Sequence, residues 1–489
     1  MAKHYGNNTM MQFFEWHVAN DGDHWNRLAD QAGALREAGI DAVWIPPPTK
    51  AISQEDNGYG IYDGYDTGEF DQKGTVRTKY GTREDLEKAI AACHDNDVHV
   101  YADVVMNHKA GADGTETFAV VEVDPDDRTT VISDSFDIEG WTMFDFPGRD
   151  GKHSDFVWHY YHFNGTDYDA AEERDGIFRI LGEHKDWNDH VDDEFGNYDY
   201  LMFANIDYDH PKVREEAMRW GKWFADSHGF DGYRLDAIKH INHLFIADFL
   251  NEMREVHGED FYFVGEFWHQ DLEAMESFLE YVEYSIDLFD VALHYKFHEA
   301  SQQGEEFDMC TLFDDTLVGK HPLNAVTFVD NHDSQPGEAL ESWVDDWFKP
   351  LAYAAILLHK DGYPCVFYGD YYGIEEPGIE GKKDMIDPLL AARRDFAYGD
   401  QENYFDHCNT IGWVRFGDDT MENSGCAVIM TNGEPGSKEM CVGEHRAGEV
   451  WHDITGNWGE PVEIDENGCA EFHVDGGSVS VYVQKLDDE

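Results

Sequence analysis

The sequence predicts an α/β fold: a (β/α)8 barrel interrupted after its third strand by an inserted domain and followed by a C-terminal antiparallel β domain. Three observations carry this reading. Short apolar runs alternate with segments whose apolar residues recur at helical spacing, the pattern of a parallel sheet with helices outside. The alternation lapses from Asn107 to about His210, in a stretch rich in Gly, Asp and aromatic residues. From about Tyr398 onward it gives way to β runs punctuated by glycine, such as 425–430 and 479–483. At 489 residues the chain exceeds one ordinary core and suits a large barrel with smaller units attached.

The strands are expected at 11–16, 42–45, 98–105, 232–236, 261–266, 325–330 and 365–368. About eight such repeats close a barrel. Between the first two, residues 24–38 place Leu28, Ala32 and Leu35 on one helical face; between the next two, residues 83–96 do the same with Leu86, Ile90 and Cys93. The expected division is a barrel domain from 1–106 and 211–397, an insertion from 107–210, and a β domain from 398–489.

Composition narrows the class. Asp and Glu number 102 against 35 Lys and Arg, a formal net charge of −67 that is spread along the chain. Such a field repels nucleic acid and anionic membranes, which excludes both as partners. It suits a salt-rich solvent, where the Debye length falls to roughly 3 Å at molar salt. The seven cysteines, at 93, 310, 365, 408, 426, 441 and 469, are odd in number and form no CxxC. That favours reduced, buried thiols over a disulfide framework or a zinc site. The opening MAKHYGNNTM lacks the apolar core of a signal segment, so a cytoplasmic location is expected, with export after signal removal as the alternative. The longest apolar run, 351–358, is too short to span a bilayer.

Several of the expected strands end in polar residues that a packed strand does not need. The third runs through Asp103 to Asn107 and His108; the fourth carries Arg234 and Asp236 and leads to Lys239 and His240. The fifth ends at Glu266, followed by Trp268, and the run 325–330 leads through Asp330 to Asn331, His332 and Asp333. In a barrel these tips converge on the C-terminal face, where active sites lie. One strand-terminal Asp is more often a turn or helix-cap residue. Four such tips in order, at barrel-sized spacings, point to a site.

The residue types fit hydrolysis of a glycoside with retention, which needs a carboxylate to attack the anomeric carbon and a carboxylic acid about 5 Å away to protonate the leaving oxygen. Arg234, two residues before Asp236, is expected to hold the Asp236 pKa down. Glu266, beside other carboxylates and partly desolvated, is expected to have its pKa raised. Asp333 is a third acid able to hold substrate hydroxyls and stabilise positive charge, and His108 and His332 are placed to bind sugar hydroxyls.

These four segments resemble the four motif regions of the alpha-amylase superfamily of glycoside hydrolases. The stretches FFEWHVANDGDHW, AVWIPPPTKA, KGTVRTKYGT, GNYDYLMFANIDYDHP, FKPLAYA and DITGNW resemble its liquefying-type branch, closer to the cytoplasmic members. The resemblance implies endo-hydrolysis of internal alpha-1,4 bonds in starch, glycogen and maltodextrins by a monomer. It implies Asp236 as nucleophile, Glu266 as acid/base and Asp333 as transition-state stabiliser. Tyr59, Asp103, His108, Arg234, Lys239, His240, Trp268 and His332 correspond to substrate-binding positions. It also implies calcium as a structural cofactor, held by Asn107, Asp199, Asn205 and the carbonyl of His240. Asn164, Asn188 and Asn205 stand where three acids of a multi-ion cluster are expected, so a single calcium is the expectation. An alpha-1,6-glucosidase or transglycosylase on the same fold is the alternative, and a barrel without catalysis a remoter one.

Overall fold

The computed structural model describes residues 7–484. Eight parallel strands close into a barrel in chain order: β1 Met10–Gln12, β2 Ala42–Ile45, β3 His99–Val104, β4 Gly232–Leu235, β5 Tyr262–Gly265, β6 Asp287–Phe289, β7 Ala325–Phe328 and β8 Tyr363–Phe367. Closure is made by β1, whose Met11 is in register with Val43 of β2 on one side and Val366 of β8 on the other. The strands are buried on both faces, which is why they read as continuous apolar runs without alternation. The sheet ends earlier than the sequence suggests: Asp236 and Glu266 each lie one residue beyond their strands. The sixth strand carries only Leu288 and Phe289 between Asp287 and Asp290, and so leaves no apolar run for the sequence to show.

The outer helices follow from local chemistry. The helix His24–Ala38 buries Trp25, Leu28, Ala32 and Leu35 and stops at Gly39, whose φ of 101° is a left-handed cap. The helix Arg83–Asp95 starts with a capping box in which Thr82 and Asp85 exchange side-chain and backbone bonds. The apolar run around residue 351 forms the helix Lys349–Leu358, buried along its length except at half-buried Pro350. Among the described residues no helix is long and apolar enough to cross a membrane.

Between β3 and β4 the chain leaves the barrel and builds a six-stranded sheet in the order His108–Lys109, Ala204–Ile206, Phe163–Asp169, Arg174–Ile180, Gly114–Glu122, Phe136–Met143. Its first short strand follows directly from the tip of β3, so the insertion is rooted at the barrel mouth. After the barrel, a second six-stranded sheet contains Cys426–Thr431 paired antiparallel with both Thr410–Arg415 and Val479–Gln484. A two-stranded ladder, Gly436–Cys441 with Cys469–Val474, accompanies it.

That ladder corrects the reading of the cysteines. Cys441 and Cys469 are register partners and form a disulfide. Of the five free thiols, Cys93, Cys365 and Cys426 are buried as expected, Cys310 is half-buried and Cys408 is exposed. Spacing along the sequence does not reveal a pair that meets only across a ladder.

Candidate active site

The C-terminal ends of the barrel strands open into a cleft of about 380 Å³. Its walls include Tyr59, His108, Asp236, Lys239, His240, Glu266, Trp268, His332 and Asp333, nine of the residues named from the sequence. The barrel brings them together from positions almost three hundred residues apart in the chain.

Arg234 organises the floor. It is fully buried, and its Nη1 donates to both carboxylate oxygens of Asp103, at 2.9 and 3.1 Å. The same nitrogen donates to Asp236 Oδ1 at 2.5 Å, while Nη2 donates to Glu266 Oε2 at 3.0 Å. Glu266 Oε2 also accepts the backbone N–H of Ala237 at 2.9 Å. Asp103 lies beneath the cleft rather than in its wall, and its Oδ2 accepts from Trp44 Nε1 at 3.0 Å and Tyr59 Oη at 2.9 Å. Its place is that of a support for Arg234 and Tyr59, as Arg234 is a support for the two acids.

Burial sets the protonation of these groups. It raises Glu266 to about 7, with the charge of Asp236 adding to the rise and Arg234 opposing it. Asp236 is raised to about 6, again chiefly by burial; Arg234 lowers it and Asp103 raises it. The sequence expectation of a lowered Asp236 is therefore corrected: Arg234 acts in the expected direction, but one cation is shared among three acids and does not offset desolvation. Asp333 is pushed well above the usual carboxylate range by burial and by Glu266.

Aromatic rings and neutral histidines line the rest. Tyr59 stacks on His332 with centroids 5.2 Å apart and planes at 9°, and Trp16 stacks on both rings at 5.8 Å. Gln12 Nε2 meets His332 Nδ1 at 3.0 Å, so this nitrogen is the acceptor and the ring proton sits on Nε2, 3.3 Å from Asp333 Oδ2. Burial lowers His332 well below its ordinary value and His108 to about 4, which keeps both neutral near pH 7. His108 is held through Nε2 by the Tyr59 carbonyl at 2.8 Å. Lys239 spans the cleft, donating to Glu194 of the insertion at 2.9 Å and to the Trp268 carbonyl at 3.1 Å. Trp268 Nε1 donates to Tyr295 Oη at 3.3 Å.

Trp16, Tyr198, Leu201, Met202 and Leu340 also line the cleft and escaped the sequence reading. For Trp16 a signal was present, a tryptophan just past the first strand. Its position depends on a contact from a residue distant in the chain, beyond β7, where Gln335 Oε1 accepts the Trp16 backbone N–H at 3.1 Å.

The residues named for a metal lie together where the insertion meets β4. Asn107 Nδ2 donates to the His240 carbonyl at 3.3 Å. Asp199 accepts from Asn164 Nδ2 at 2.6 Å, Asn188 Nδ2 at 2.8 Å and the Asn188 backbone at 3.0 Å. Asn205 Nδ2 donates to Asn164 Oδ1 at 2.8 Å, and its own Oδ1 is buried without a partner among the described residues. The Asp199 carboxylate, the His240 carbonyl and the amide oxygens are hard ligands, the type calcium takes, and the orphaned Asn205 oxygen is the atom a cation would satisfy. Charge is scarce, however: among the described residues no group of three or more His, Cys, Asp or Glu is placed to hold a metal ion.

Acids raised by burial, beside stacked rings in an open cleft at a barrel mouth, define a glycoside hydrolase. Comparison with known proteins gives the family. The model described as the alpha amylase catalytic domain matches residues 11–403, and the alpha-amylase C-terminal model matches 427–483. The chain belongs to the alpha-amylase family. It is 54% identical over 482 residues to an alpha-amylase of Bacillus licheniformis, covering 98% of this chain and 94% of that one. It is 52% identical to a glucan 1,4-alpha-maltohexaosidase of Bacillus sp. (strain 707), covering 99% and 94%. With the cytoplasmic alpha-amylase of Escherichia coli (strain K12) it shares 44% identity, covering 98% and 99%. Among solved structures, an Anoxybacillus alpha-amylase shares the fold with a TM-score of 0.65 at 18% identity, covering 99% of this chain and 98% of the other. The chain is accordingly an enzyme that hydrolyses internal alpha-1,4-glucosidic bonds of alpha-glucans.

Proposed function

We propose that hydrolysis proceeds with retention: Asp236 attacks the anomeric carbon, Glu266 protonates the departing glycosidic oxygen, and Asp333 stabilises the positive charge between them. The observation that supports this most directly is the shared guanidinium. Arg234 reaches Asp236 with one nitrogen and Glu266 with the other, which suits the close carboxyl pair of a retaining enzyme better than the wider pair, about 6.5–9.5 Å, of an inverting one. Arg234 occupies Asp236 Oδ1, leaving Oδ2 for attack. Arg234 and the Ala237 N–H occupy Glu266 Oε2, leaving Oε1 to carry the transferred proton. In the second half-reaction Glu266, now ionised, takes a proton from water as that water displaces Asp236. Proton NMR of fresh products from a maltooligosaccharide tests this. The alpha anomer is expected first, and beta anomer first means inversion.

The same reading assigns substrate contacts to Tyr59, His108, Lys239, His240, Trp268 and His332, with Asp103 and Arg234 holding the floor. It divides the chain into a barrel domain of 1–106 and 211–397, an insertion of 107–210 and a β domain of 398–489. One calcium at Asn107, Asp199, Asn205 and the His240 carbonyl would tie the insertion to β4, and it supplies no step of the chemistry, since a carboxylate nucleophile needs none. A further cluster of ions is disfavoured because Lys185 places its ammonium on Asp207 and on the Phe163 carbonyl, and Asn242 donates to Asp209. The charge of −67 favours a salt-rich working solvent. Likeness to the Escherichia coli enzyme favours the cytoplasm, whereas the Cys441–Cys469 bond favours an oxidising compartment. A thiol count on freshly isolated, denatured protein separates the two: seven means reducing, five oxidising.

A further inference from the structure

Three residues before Asp333 stands another buried acid, Asp330, which does not line the cleft. Lys349, from the helix Lys349–Leu358, donates to Asp330 Oδ2 at 2.7 Å and also to Asp370 Oδ1. Tyr353, one turn along the same helix, donates its hydroxyl to Asp370 Oδ2 at 2.7 Å. The Lys349 ammonium lies 3.3 Å from the centroid of the Trp343 ring. Lys349, Asp370, Tyr353 and Asp330 are at most 1% exposed. Holding two acids and one ammonium out of water is expensive, and apolar residues of similar volume often serve stability as well or better. Stability alone is thus a poor account of this set.

Its connections supply a better one. Asp330 Oδ1 accepts the hydroxyl of Ser334 at 2.8 Å, and the Ser334 oxygen accepts the backbone N–H of Asn331 at 2.9 Å. Asn331 Oδ1 in turn accepts the backbone N–H groups of Asp333, at 2.9 Å, and Ser334, at 2.8 Å. The turn is therefore pinned on both sides of Asp333, and through Ser334 it is tied to the Asp330 carboxylate. Asp330 Oδ2 additionally accepts the Val344 backbone N–H at 3.2 Å, which anchors the following loop to the same point.

We propose that Lys349, Asp330 and Asp370 form a buried positioning device for Asp333, fixing the turn 330–334 so that the Asp333 carboxyl stands where charge develops in the transition state. The inference rests on the role given to Asp333 above. Lys349 touches no substrate; its effect is exerted through the turn. Preorganised groups of this kind lose their value with small displacements, about a hundredfold in rate for 1 Å.

The test uses Lys349→Met, Asp330→Asn and Ser334→Ala in the full-length enzyme, with Asp333→Asn as control. Measured are kcat and KM on a maltooligosaccharide, the inhibition constant of an amine-bearing, cationic maltooligosaccharide analogue, and thermal unfolding. Each folded positioning variant is expected to lose at least about tenfold in kcat, with KM within about threefold of the parent. Affinity for the cationic analogue should fall along with kcat, because both depend on where the Asp333 carboxyl stands. A partly unfolded preparation would lower kcat and leave the inhibition constant of its folded fraction unchanged. Parental kcat in the folded variants, or a loss with an unchanged inhibition constant, overturns the proposal. If Lys349→Met does not fold, Ser334→Ala, which removes the uncharged strut alone, decides. An Asp333→Asn enzyme that keeps parental activity overturns the role of Asp333 itself. An inactive Asp333→Asn beside fully active positioning variants overturns only the positioning.

Discussion

Arg234 donates to Oδ1 of Asp236 at 2.5 Å, yet Asp236 holds its proton more tightly than a free aspartate. The two facts are compatible because Arg234 serves Asp103 and Glu266 as well, and all three acids have left bulk water. Each acid receives a share of one positive charge and bears its own desolvation. The outcome is a pair with separated tasks, Asp236 at about 6 and Glu266 at about 7.

A narrow pH optimum follows. Turnover requires Asp236 ionised and Glu266 protonated, so kcat/KM falls below the acid limb, where Asp236 takes up a proton, and above the alkaline limb, where Glu266 loses one. Because the two titrate together, the limbs belong to the pair, and the maximum is expected between about 6 and 7. Asp103→Asn removes a negative charge that raises Asp236, so its acid limb should move to lower pH. Initial rates at low substrate from pH 4 to 9, on about a dozen buffers, are the measurement. A shift of that limb upward contradicts the electrostatic account.

Removing either acid removes a chemical step rather than a packing contact. Asp236→Asn and Glu266→Gln should each lower kcat by at least about a thousandfold. Neither should lower the unfolding temperature, since each relieves a buried acid. A variant that unfolds many degrees earlier would mark the residue as a structural element first.

Much of this site was legible in the sequence because the barrel confines it to strand tips. A run of apolar residues ending in Asp236 or Glu266 is visible without coordinates, and the fold does the rest. What stayed hidden depends on distant partners. The strand Asp287–Phe289 has its two apolar residues enclosed by Asp287 and Asp290, so no run marks it. The stack of Trp16 on Tyr59 and His332 needs Gln335, more than three hundred residues further along the chain. The sign of the Asp236 shift needs the count of acids around Arg234, which only the closed barrel reveals.

For the metal, extensively dialysed protein is expected to retain one calcium per chain by elemental analysis, and a chelator should lower the unfolding temperature. Asn205→Ala removes the orphaned buried oxygen and should weaken that retention by about tenfold or more. Asn164 and Asn188 face Asp199 as donors through their Nδ2 groups, which is the arrangement of a hydrogen-bonded cage. Two or more tightly held ions there would show that the asparagines have not replaced a cluster.

The last prediction concerns salt. With 102 acids against 35 Lys and Arg, most carboxylates of the chain have no cation of their own. Several of the cations sit in exposed pairs such as Arg27–Asp21 and Lys88–Glu84, which contribute little to stability because solvent and salt screen them. Others are buried in the site and its supports, as Arg234 and Lys349 are. The remaining negative charges repel one another across the surface in dilute buffer. Chain expansion relieves that repulsion, so the folded state is the one that suffers. Screening shortens its range from about 30 Å at 0.01 M to about 3 Å at 1 M, which removes all but the nearest contacts. The unfolding temperature should therefore rise steeply between those concentrations of potassium chloride. The series is run with calcium saturating and again with chelator present, because a bound divalent ion also stabilises. Similar rises in both series mean that the charge field is responsible. A midpoint that stays flat in both would show that the acidic composition carries no salt dependence.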